Sequence, residues 1–276
     1  MSEKISVFCI WRDSEQTIHR TLKQLEDLES IDGFEFSYFF YENDSQDNTA
    51  EILKNWLVNR SGKIESEVLN AKKFGSVTDP ERMKFLCKCR NKCKDLALNN
   101  DSDYSLLIDS DIKFNNDNLL IQLNNLNKLK SAVMVTSNVR QFVPDLTFKE
   151  CEDSYYDVYA FRDKYGTPGM YFSSCPSYRP EDQLNWKLSM PIVTMSSFGG
   201  FALIKSEVFN KVRWSSDIHC DHVNMCYDIS RYGLIYLDPR CKVWVDISLN
   251  QDHLERASKM SEIQKQNYDY LWNNSM

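Results

Sequence analysis

Glycine is scarce in this chain, with 8 residues among 276, and the N-terminal region has no glycine-rich loop of the kind that cradles phosphates. Long apolar stretches are missing too, because none approaches the roughly 20 residues of a membrane-spanning helix. The apolar run at residues 5–11 is shorter than the core of a secretory signal. We therefore expect no membrane partner and a cytoplasmic location.

Paired cysteines and an excess of positive charge are also missing. The nine cysteines are odd in number and scattered, which fits a reducing compartment better than a disulfide framework. Cys87, Cys89 and Cys93 lie close together, but no second cysteine pair or nearby histidine completes a metal site. With 33 Lys and Arg against 40 Asp and Glu, the formal net charge of −7 argues against a dedicated polyanion binder.

The chain does contain alternating strand-like and helix-like segments, which predict a single α/β domain with a mostly parallel, twisted sheet flanked by helices. The predicted strands are residues 5–10, 34–41, 104–108, 132–136, 201–204, 234–237 and 243–245. The predicted helices are residues 14–28, 50–58, 83–98, 118–129 and 221–232. Residues 144–191 are rich in Tyr, Asp, Ser and Pro and predict irregular surface loops.

Two carboxylates end the apolar strand at residues 104–108. In Asp109-Ser110-Asp111 the side chains alternate, so both carboxylates point to one side and repel each other. A divalent ion would hold both ionised, and hard oxygen ligands suit Mg²⁺ or Mn²⁺, which usually arrive with a phosphate-bearing ligand. An ordinary Asp-rich turn after a strand is the alternative interpretation.

The helix at residues 83–98 carries Arg90 on its apolar side, at the spacing set by Leu86 and Cys93. A guanidinium facing inward needs an anion, either a diphosphate or the carboxylate of a buried salt bridge. Lys84, Lys88 and Lys92 form a row on another face, which is either solvated surface or a contact for a polyanionic acceptor.

An ordered set of motifs resembles the GT-A glycosyltransferases. Residues 41–49, Tyr-Glu-Asn-Asp-Ser-Gln-Asp-Asn-Thr, resemble the nucleotide-proximal turn of that fold, Arg90-Asn91 resembles its RN pair, and residues 107–111 resemble its DxD strand. Segments 156–163, 198–203 and 221–226 are more similar to the capsule-associated α-1,3-mannosyltransferase group than to the family-2 glycosyltransferases. The resemblance implies a GT-A catalytic domain over residues 1–250, with residues 251–276 as a C-terminal helical tail packed on it.

For the donor, the resemblance implies a nucleoside-diphosphate sugar, UDP- or GDP-linked, bound with Mn²⁺ or Mg²⁺. Glu42 would contact the base, and the loop of Trp11, Arg12 and Asp13 would lie around base and ribose. Asp109 would meet the ribose or the metal, and Arg90 would support the diphosphate as it leaves. The resemblance also implies Asp111 and Asp246 as metal ligands, although many relatives carry His at the position of Asp246. Gly199 and Gly200 would lie beside the donor sugar.

For the acceptor, the resemblance implies that Asp221 faces the hydroxyl at the start of a late helix. It would be the general base of an inverting enzyme or would orient the acceptor in a retaining one. Stabilisation of the helix N-terminus is the structural alternative. Asp157, Arg162 and Asp163 would contact sugar or acceptor, with surface ion pairing as the alternative.

The predicted function is therefore a metal-dependent transfer of a sugar to a hydroxyl acceptor. The Asn- and Lys-rich, Gly-poor composition suits a viral or phage genome, in which case the location is the host cytoplasm and a hydroxymethylated DNA base is one acceptor. A positive track for DNA would draw on Lys72, Lys73, Lys84, Lys88 and Lys92. The alternatives are a glycan, protein or small-molecule acceptor, or a nucleotide-sugar-binding protein that has lost catalysis.

Overall fold

The computed structural model describes residues 2–72, 74, 79–142, 154–171, 173–216 and 220–246, with the backbone alone at 141, 142 and 246. The strands are β1 (Glu3–Trp11), β2 (Phe34–Asn43), β3 (Gly62–Glu67), β4 (Tyr104–Asp109), β5 (Ile112–Lys113), β6 (Ala132–Phe142), β7 (Arg162–Asp163), β8 (Ile192–Ser196), β9 (Phe201–Lys205) and β10 (Leu234–Asp246). The helices are α1 (Glu15–Glu29), α2 (Thr49–Leu57), α3 (Pro80–Asp95), α4 (Asn116–Lys128), α5 (Pro180–Lys187), α6 (Ser206–Phe209) and α7 (Asp221–Ile229). No helix in these described ranges is long and apolar enough to cross a membrane.

One sheet contains all these strands, in the order β3-β2-β1-β4-β9-β6-β10-β8-β7, and β5 pairs with β10. Strands β3, β2, β1 and β4 pair in parallel, as do β6 and β10, which the alternation of strands and helices predicts. It is antiparallel where β9, β8, β7 and β5 join. Helices cover both faces, so the predicted α/β architecture is confirmed.

Two hydrophobic cores separate the sheet from its helices, and strand β1 contributes to both. Ile5, Val7 and Cys9 pack into the core under α1, α2 and α4, whereas Phe8 points to the core under α3 and α7. Because side chains of a strand alternate between faces, each core is filled by every second residue. The sheet therefore packs between two layers of helices, and the loops that follow its strands can form a site.

Several predicted boundaries differ from the structure. Residues 234–237 and 243–245 are one strand, β10, whose register shifts between Asp238 and Lys242. The prediction that residues 144–191 are only irregular loops is wrong, since this region contains β7 and α5. The predicted C-terminal helical tail at residues 251–276 lies outside the described residues, as does Lys73.

Strand β3 begins at Gly62, a position where only glycine fits. Its φ is +141°, and a Cβ atom there would lie 1.9 Å from the carbonyl oxygen of Tyr38 on the neighbouring strand. We predict that Gly62→Ala lowers the free energy of unfolding by about 3–5 kcal/mol, because backbone strain adds to a steric clash.

Gly33→Ala is the matched control for this substitution. Gly33 also has a positive φ, +89°, but among the described residues no atom beyond its two chain neighbours lies within 4 Å of an added Cβ. Strain alone should then cost about 1–2 kcal/mol. Urea unfolding of both variants measures the difference, and equal losses would contradict the steric explanation.

Candidate functional site

Arg90 lies between two carboxylates that come from distant parts of the chain. Its Nη2 donates to Asp109 Oδ1 at 3.2 Å, and its Nε donates to Asp221 Oδ2 at 2.7 Å. The side chains of Arg90 and Asp221 are 11% and 4% exposed. Helix α3, the end of β4 and the start of α7 thus meet at one buried cation, and two of the predicted site carboxylates are brought together. Arg90 thus forms the buried salt bridge that the sequence left as an alternative to a diphosphate contact.

The salt bridge sets the charge of Asp221. Burial opposes its ionisation, but the His222 ring, when it is protonated at low pH, and the Arg90 guanidinium outweigh burial and lower the pKa of Asp221 to about 2. Asp221 is therefore a carboxylate at neutral pH, and it also accepts a hydrogen bond from the Cys220 thiol at 3.4 Å.

Gly199 and Gly200 form a turn that lies against Asp109. Both have φ of +69°, and a Cβ on Gly199 would lie 2.3 Å from the carbonyl oxygen of Ser137. The Asp109 N–H donates to the Gly200 carbonyl at 2.9 Å. A Cβ on Gly200 would lie 3.5 Å from Asp109 Oδ2 and 2.9 Å from a methyl group of Ile112. The positive φ of both residues and the close approach of Gly199 to Ser137 favour glycine here, and the turn lies in contact with the Asp109 carboxylate.

Asp157 joins this group of residues from the loop before β7. Its Oδ2 accepts the Gly199 N–H at 3.0 Å, so it fixes the glycine turn. Burial, together with the charges of Asp109 and Asp221, raises the pKa of Asp157 to about 7. The carboxyl group is therefore half-protonated near neutral pH, and a contact with sugar or acceptor stays a prediction.

Asp109 and Asp111 are the carboxylates predicted to hold a metal ion. Asp111 is exposed as a residue, yet partial desolvation of its carboxyl group and the charge of Asp109 raise the pKa of Asp111 to about 6. This mutual repulsion is what a divalent cation would relieve, so the pair fits an oxygen-ligated Mn²⁺ or Mg²⁺. Within the described side chains no three His, Cys, Asp or Glu residues form a complete ligand set, so oxygens of a bound ligand would have to complete it. Strand β10 ends at Asp246, whose side chain lies outside the described part.

The loops after β1 and β2, which were predicted to surround the nucleotide, are interlocked. Asp13 N–H donates to the Ser45 hydroxyl at 3.0 Å, and Asp13 Oδ1 accepts the Gln46 N–H at 2.8 Å. Arg12 donates to the carbonyl of Ala71 at 3.0 Å, which adds the segment after β3 to the same edge of the sheet. These contacts place the two predicted nucleotide loops side by side.

Trp11 and Glu42 are more deeply buried than the resemblance implies. Trp11 is 1% exposed and packs edge-on against Phe40 at 5.7 Å, because it continues the inward face of β1. It packs in the core, and its predicted place around the base stays a prediction. Glu42 is 2% exposed and accepts hydrogen bonds from the Ser45 N–H and the Ser66 hydroxyl, so it holds the turn. A contact between Glu42 and the base stays a prediction.

Arg162 and Asp163 lie inside the protein. Asp163 is 2% exposed and accepts from the N–H groups of Tyr165 and Thr167, both at 2.9 Å, and from Arg179. Arg162 donates to the carbonyls of Tyr159 and Phe161. These contacts organise the turn after β7, and they favour a structural role over the predicted acceptor contact.

The lysine row is only partly free. Lys84 and Lys88 are exposed, and Lys84 pairs with Glu81 at 3.1 Å. Lys92 is bound to Glu67, and Lys72 lies over the Phe74 ring at 5.2 Å. A continuous positive track along these side chains is therefore interrupted.

Helix α3 also supports the segment before Asp221, which the sequence did not predict. Asn91 donates to the Trp214 carbonyl at 2.8 Å and accepts the Trp214 N–H at 3.1 Å. Lys94 is 8% exposed and donates to the carbonyls of Phe209, at 2.7 Å, and Val212. Burial lowers the pKa of Lys94 to about 8. The only sequence signal was Asn91 beside Arg90 in the RN pair.

Asp157 provides a test of the electrostatics of this site. Its pKa is raised in the folded state, so the carboxyl group must ionise at a cost when the pH exceeds 7. Folded protein holds this proton more tightly than unfolded protein, and the stabilising contribution is lost as the pH rises from about 4 through 7. We predict that Asp157→Asn raises the melting temperature relative to wild type at pH 8, with a difference that shrinks towards pH 5. A difference that is constant with pH would contradict the raised pKa.

Solved structures similar to this chain have the GT-A fold. S. aureus TarS 1–349 superposes with a TM-score of 0.52 and 15% identity over 88% of this chain and 60% of that structure. The complex of TarS 1–349 with UDP-GlcNAc superposes with a TM-score of 0.52 and 14% identity, over 88% of this chain and 58% of that structure. Mannosyltransferase PcManGT from Pyrobaculum calidifontis, solved with GDP-Man and Mn²⁺, superposes with a TM-score of 0.51 and 11% identity, over 90% of this chain and 58% of that structure.

The chain thus spans about 60% of the length of the first of these structures. No protein-family model and no curated protein matches the sequence. At these identities the similarity establishes the fold, and the specific resemblance to the capsule-associated group stays a prediction. The chain has the GT-A fold that the sequence motifs predicted.

Proposed function

We propose that this protein is a glycosyltransferase that moves a sugar from a nucleoside-diphosphate sugar to a hydroxyl acceptor. The observation that carries the proposal is the buried Arg90, which joins the carboxylate at the end of β4 to the carboxylate at the start of α7 beside a glycine turn. A cation and two acidic groups at one edge of a GT-A sheet suit a leaving diphosphate on one side and an acceptor hydroxyl on the other.

In this proposal Arg90 exchanges partners during the reaction. Paired with Arg90, Asp221 is a weak base, since its pKa is about 2 and base strength falls with pKa. A diphosphate that draws the guanidinium towards itself would raise the proton affinity of Asp221. Donor binding would thereby prepare Asp221 either to accept the proton of the acceptor hydroxyl or to orient that hydroxyl.

Asp109 and Asp111 would hold Mn²⁺ or Mg²⁺ in the same proposal, with Asp246 as a third ligand implied by the resemblance. The ion supplies positive charge that neutralises the departing nucleoside diphosphate. Gly199 and Gly200 let the backbone lie close to the sugar, and Asp157 holds that turn in place.

Two substitutions test the roles of the carboxylates. Asp111→Ala should abolish turnover, a loss of at least about 100-fold, while the melting temperature stays close to wild type, because Asp111 is exposed and fills no core volume. Asp221→Asn should bind donor and lower kcat by about 100-fold or more. Release of UDP or GDP from a panel of nucleotide sugars with Mn²⁺ is the assay.

Asp101→Asn is the matched control, since that side chain is 95% exposed and its ion pair is with Lys4 at 3.4 Å. It should keep wild-type turnover. Normal turnover in Asp111→Ala would contradict the metal role. Donor binding without any hydrolysis or transfer would favour a nucleotide-sugar-binding protein that has lost catalysis, and released pyrophosphate would indicate a nucleotidyltransferase instead.

For the acceptor, we propose modified DNA as the first hypothesis to test. Lys84 and Lys88 are exposed on the outer side of α3 and could meet phosphates, although the net charge of −7 and the pairing of Lys92 limit such a track. If DNA carrying hydroxymethylated bases is the acceptor, Lys88→Glu should weaken transfer to DNA, increasingly so at low salt, without changing donor hydrolysis. Transfer to free sugars, glycans or proteins in the same panel, with DNA inert, would replace this hypothesis.

A further inference from the structure

His222, the residue after Asp221, has one ring nitrogen without a hydrogen-bond partner among the described residues. The side chain is 4% exposed. Its Nδ1 receives the indole N–H of Trp214 at 3.4 Å, whereas its Nε2 is buried, unpartnered, and 3.8 Å from Asp221 Oδ2. Buried polar atoms are rarely left without a partner, so this nitrogen requires an explanation.

The contact with Trp214 fixes the protonation of the ring. An indole N–H can only donate, so Nδ1 is the unprotonated acceptor and the proton of the neutral ring is on Nε2. Burial lowers the pKa of His222 to about 4 against the opposing charge of Asp221, which keeps the ring neutral near pH 7. The unpartnered atom is therefore a hydrogen-bond donor.

The ring is also held in a fixed orientation. It stacks on Phe198 with centroids 3.7 Å apart and an interplanar angle of 14°, and the Trp214 ring meets it edge-on at 6.3 Å. Trp214 is in turn tied to α3 by two hydrogen bonds with Asn91. The Nε2–H therefore stays close to Asp221 without freedom to turn elsewhere.

Asp221 Oδ2, the acceptor 3.8 Å from Nε2, already accepts a hydrogen bond from Arg90 Nε at 2.7 Å. If Arg90 moves to a diphosphate, this oxygen loses its partner inside the protein. An uncompensated buried carboxylate is strongly destabilised and would take up a proton, which would disable it as a base. A second donor within about an ångström of hydrogen-bonding distance would prevent that loss.

We propose that His222 is the second partner of Asp221, a positioning residue whose Nε2–H takes over the hydrogen bond to Asp221 Oδ2 when a nucleoside diphosphate draws Arg90 away. The proposal rests on the proposed function for the movement of Arg90. The proton stays on Nε2 throughout, and no bond other than the hydrogen bonds is made or broken. Asp221 stays ionised and directed at the acceptor at the moment when Arg90 serves the leaving group.

Kinetics of two variants separate this role from simple packing. His222→Phe keeps the stacking ring and removes the donor, whereas His222→Gln loses the ring and carries an amide N–H that can reach the Nε2 position. We expect His222→Phe to lower kcat about tenfold or more with the donor KM within about twofold of wild type, and His222→Gln to recover part of kcat. If His222 only packs, the Phe variant will be the more active of the two, and the proposal fails.

NMR of the ring nitrogens tests the hydrogen bond without turnover. In wild type, Nδ1 should be unprotonated and Nε2 protonated, and saturation with UDP or GDP and Mg²⁺ should shift the Nε2–H signal while this tautomer persists. An unmoved signal at saturation, with binding confirmed by calorimetry, overturns the proposal while the proposed donor site stands.

Ligand-free Arg90→Met separates failure of this proposal from failure of the proposed function. Here Asp221 Oδ2 is free of Arg90, so the Nε2–H signal should shift as it does with ligand in wild type. If no nucleotide binds wild type, the proposed function fails, whereas the shift in Arg90→Met still supports His222 as the second partner. No shift in a folded Arg90→Met protein overturns the proposal, and if this variant does not fold, the kinetics and the ligand titration decide.

Discussion

The site depends on one buried guanidinium. Arg90 cannot lose its charge in a protein, and at 11% exposure its side chain has little access to water, so it must be neutralised by protein groups or by a bound anion. Asp109 and Asp221 supply that charge from positions 19 and 131 residues further along the chain. The ion pair therefore sets how α3, β4 and α7 meet, and it helps to keep the Asp221 carboxylate ionised.

The glycine turn is the second constraint, and it acts on the backbone. Gly199 passes so close to the Ser137 carbonyl that β6 and the start of β9 are fixed relative to each other. The Asp109 N–H then bonds to Gly200, which sets the distance between the end of β4 and this turn. A chain with so few glycines uses two of them consecutively here, where both residues have a positive φ and the backbone passes close to the Ser137 carbonyl.

Sequence patterns predicted the elements and residues whose chemistry is unusual for their surroundings. Arg90 on an apolar helix face and paired carboxylates after an apolar strand are such cases. The GT-A resemblance implied Asp221 and the two adjacent glycines, and the structure brings Arg90, Asp109, Asp221 and the glycine turn together. Strand β3 was missed because its sequence, GKIESE, lacks a clear apolar alternation. Strand β8 was missed because its five residues form too short a pattern between two loops.

The roles of some other residues could not be predicted from any sequence pattern. Asn91 and Lys94 bind backbone atoms of a segment more than a hundred residues away, and a backbone partner has the same chemistry whatever its side chain. Trp11 was placed in the loop because β1 was predicted to end at residue 10, one residue short of its actual end. Asp163 is an acidic residue of the kind usually found at the surface, and its burial and its hydrogen bonds to the turn are seen in the folded structure.

Helix α3 serves two regions through neighbouring residues. Arg90 holds the carboxylates, while Asn91 and Lys94 hold the backbone between Phe209 and Trp214, and Arg213 forms paired contacts of 2.8 Å with Asp95 at the end of the same helix. In a chimera that exchanges the segment before α7 with that of a distant relative, the graft would consequently have to include this helix. Exchanging residues 209–222 alone would separate the incoming loop from the side chains that anchor it.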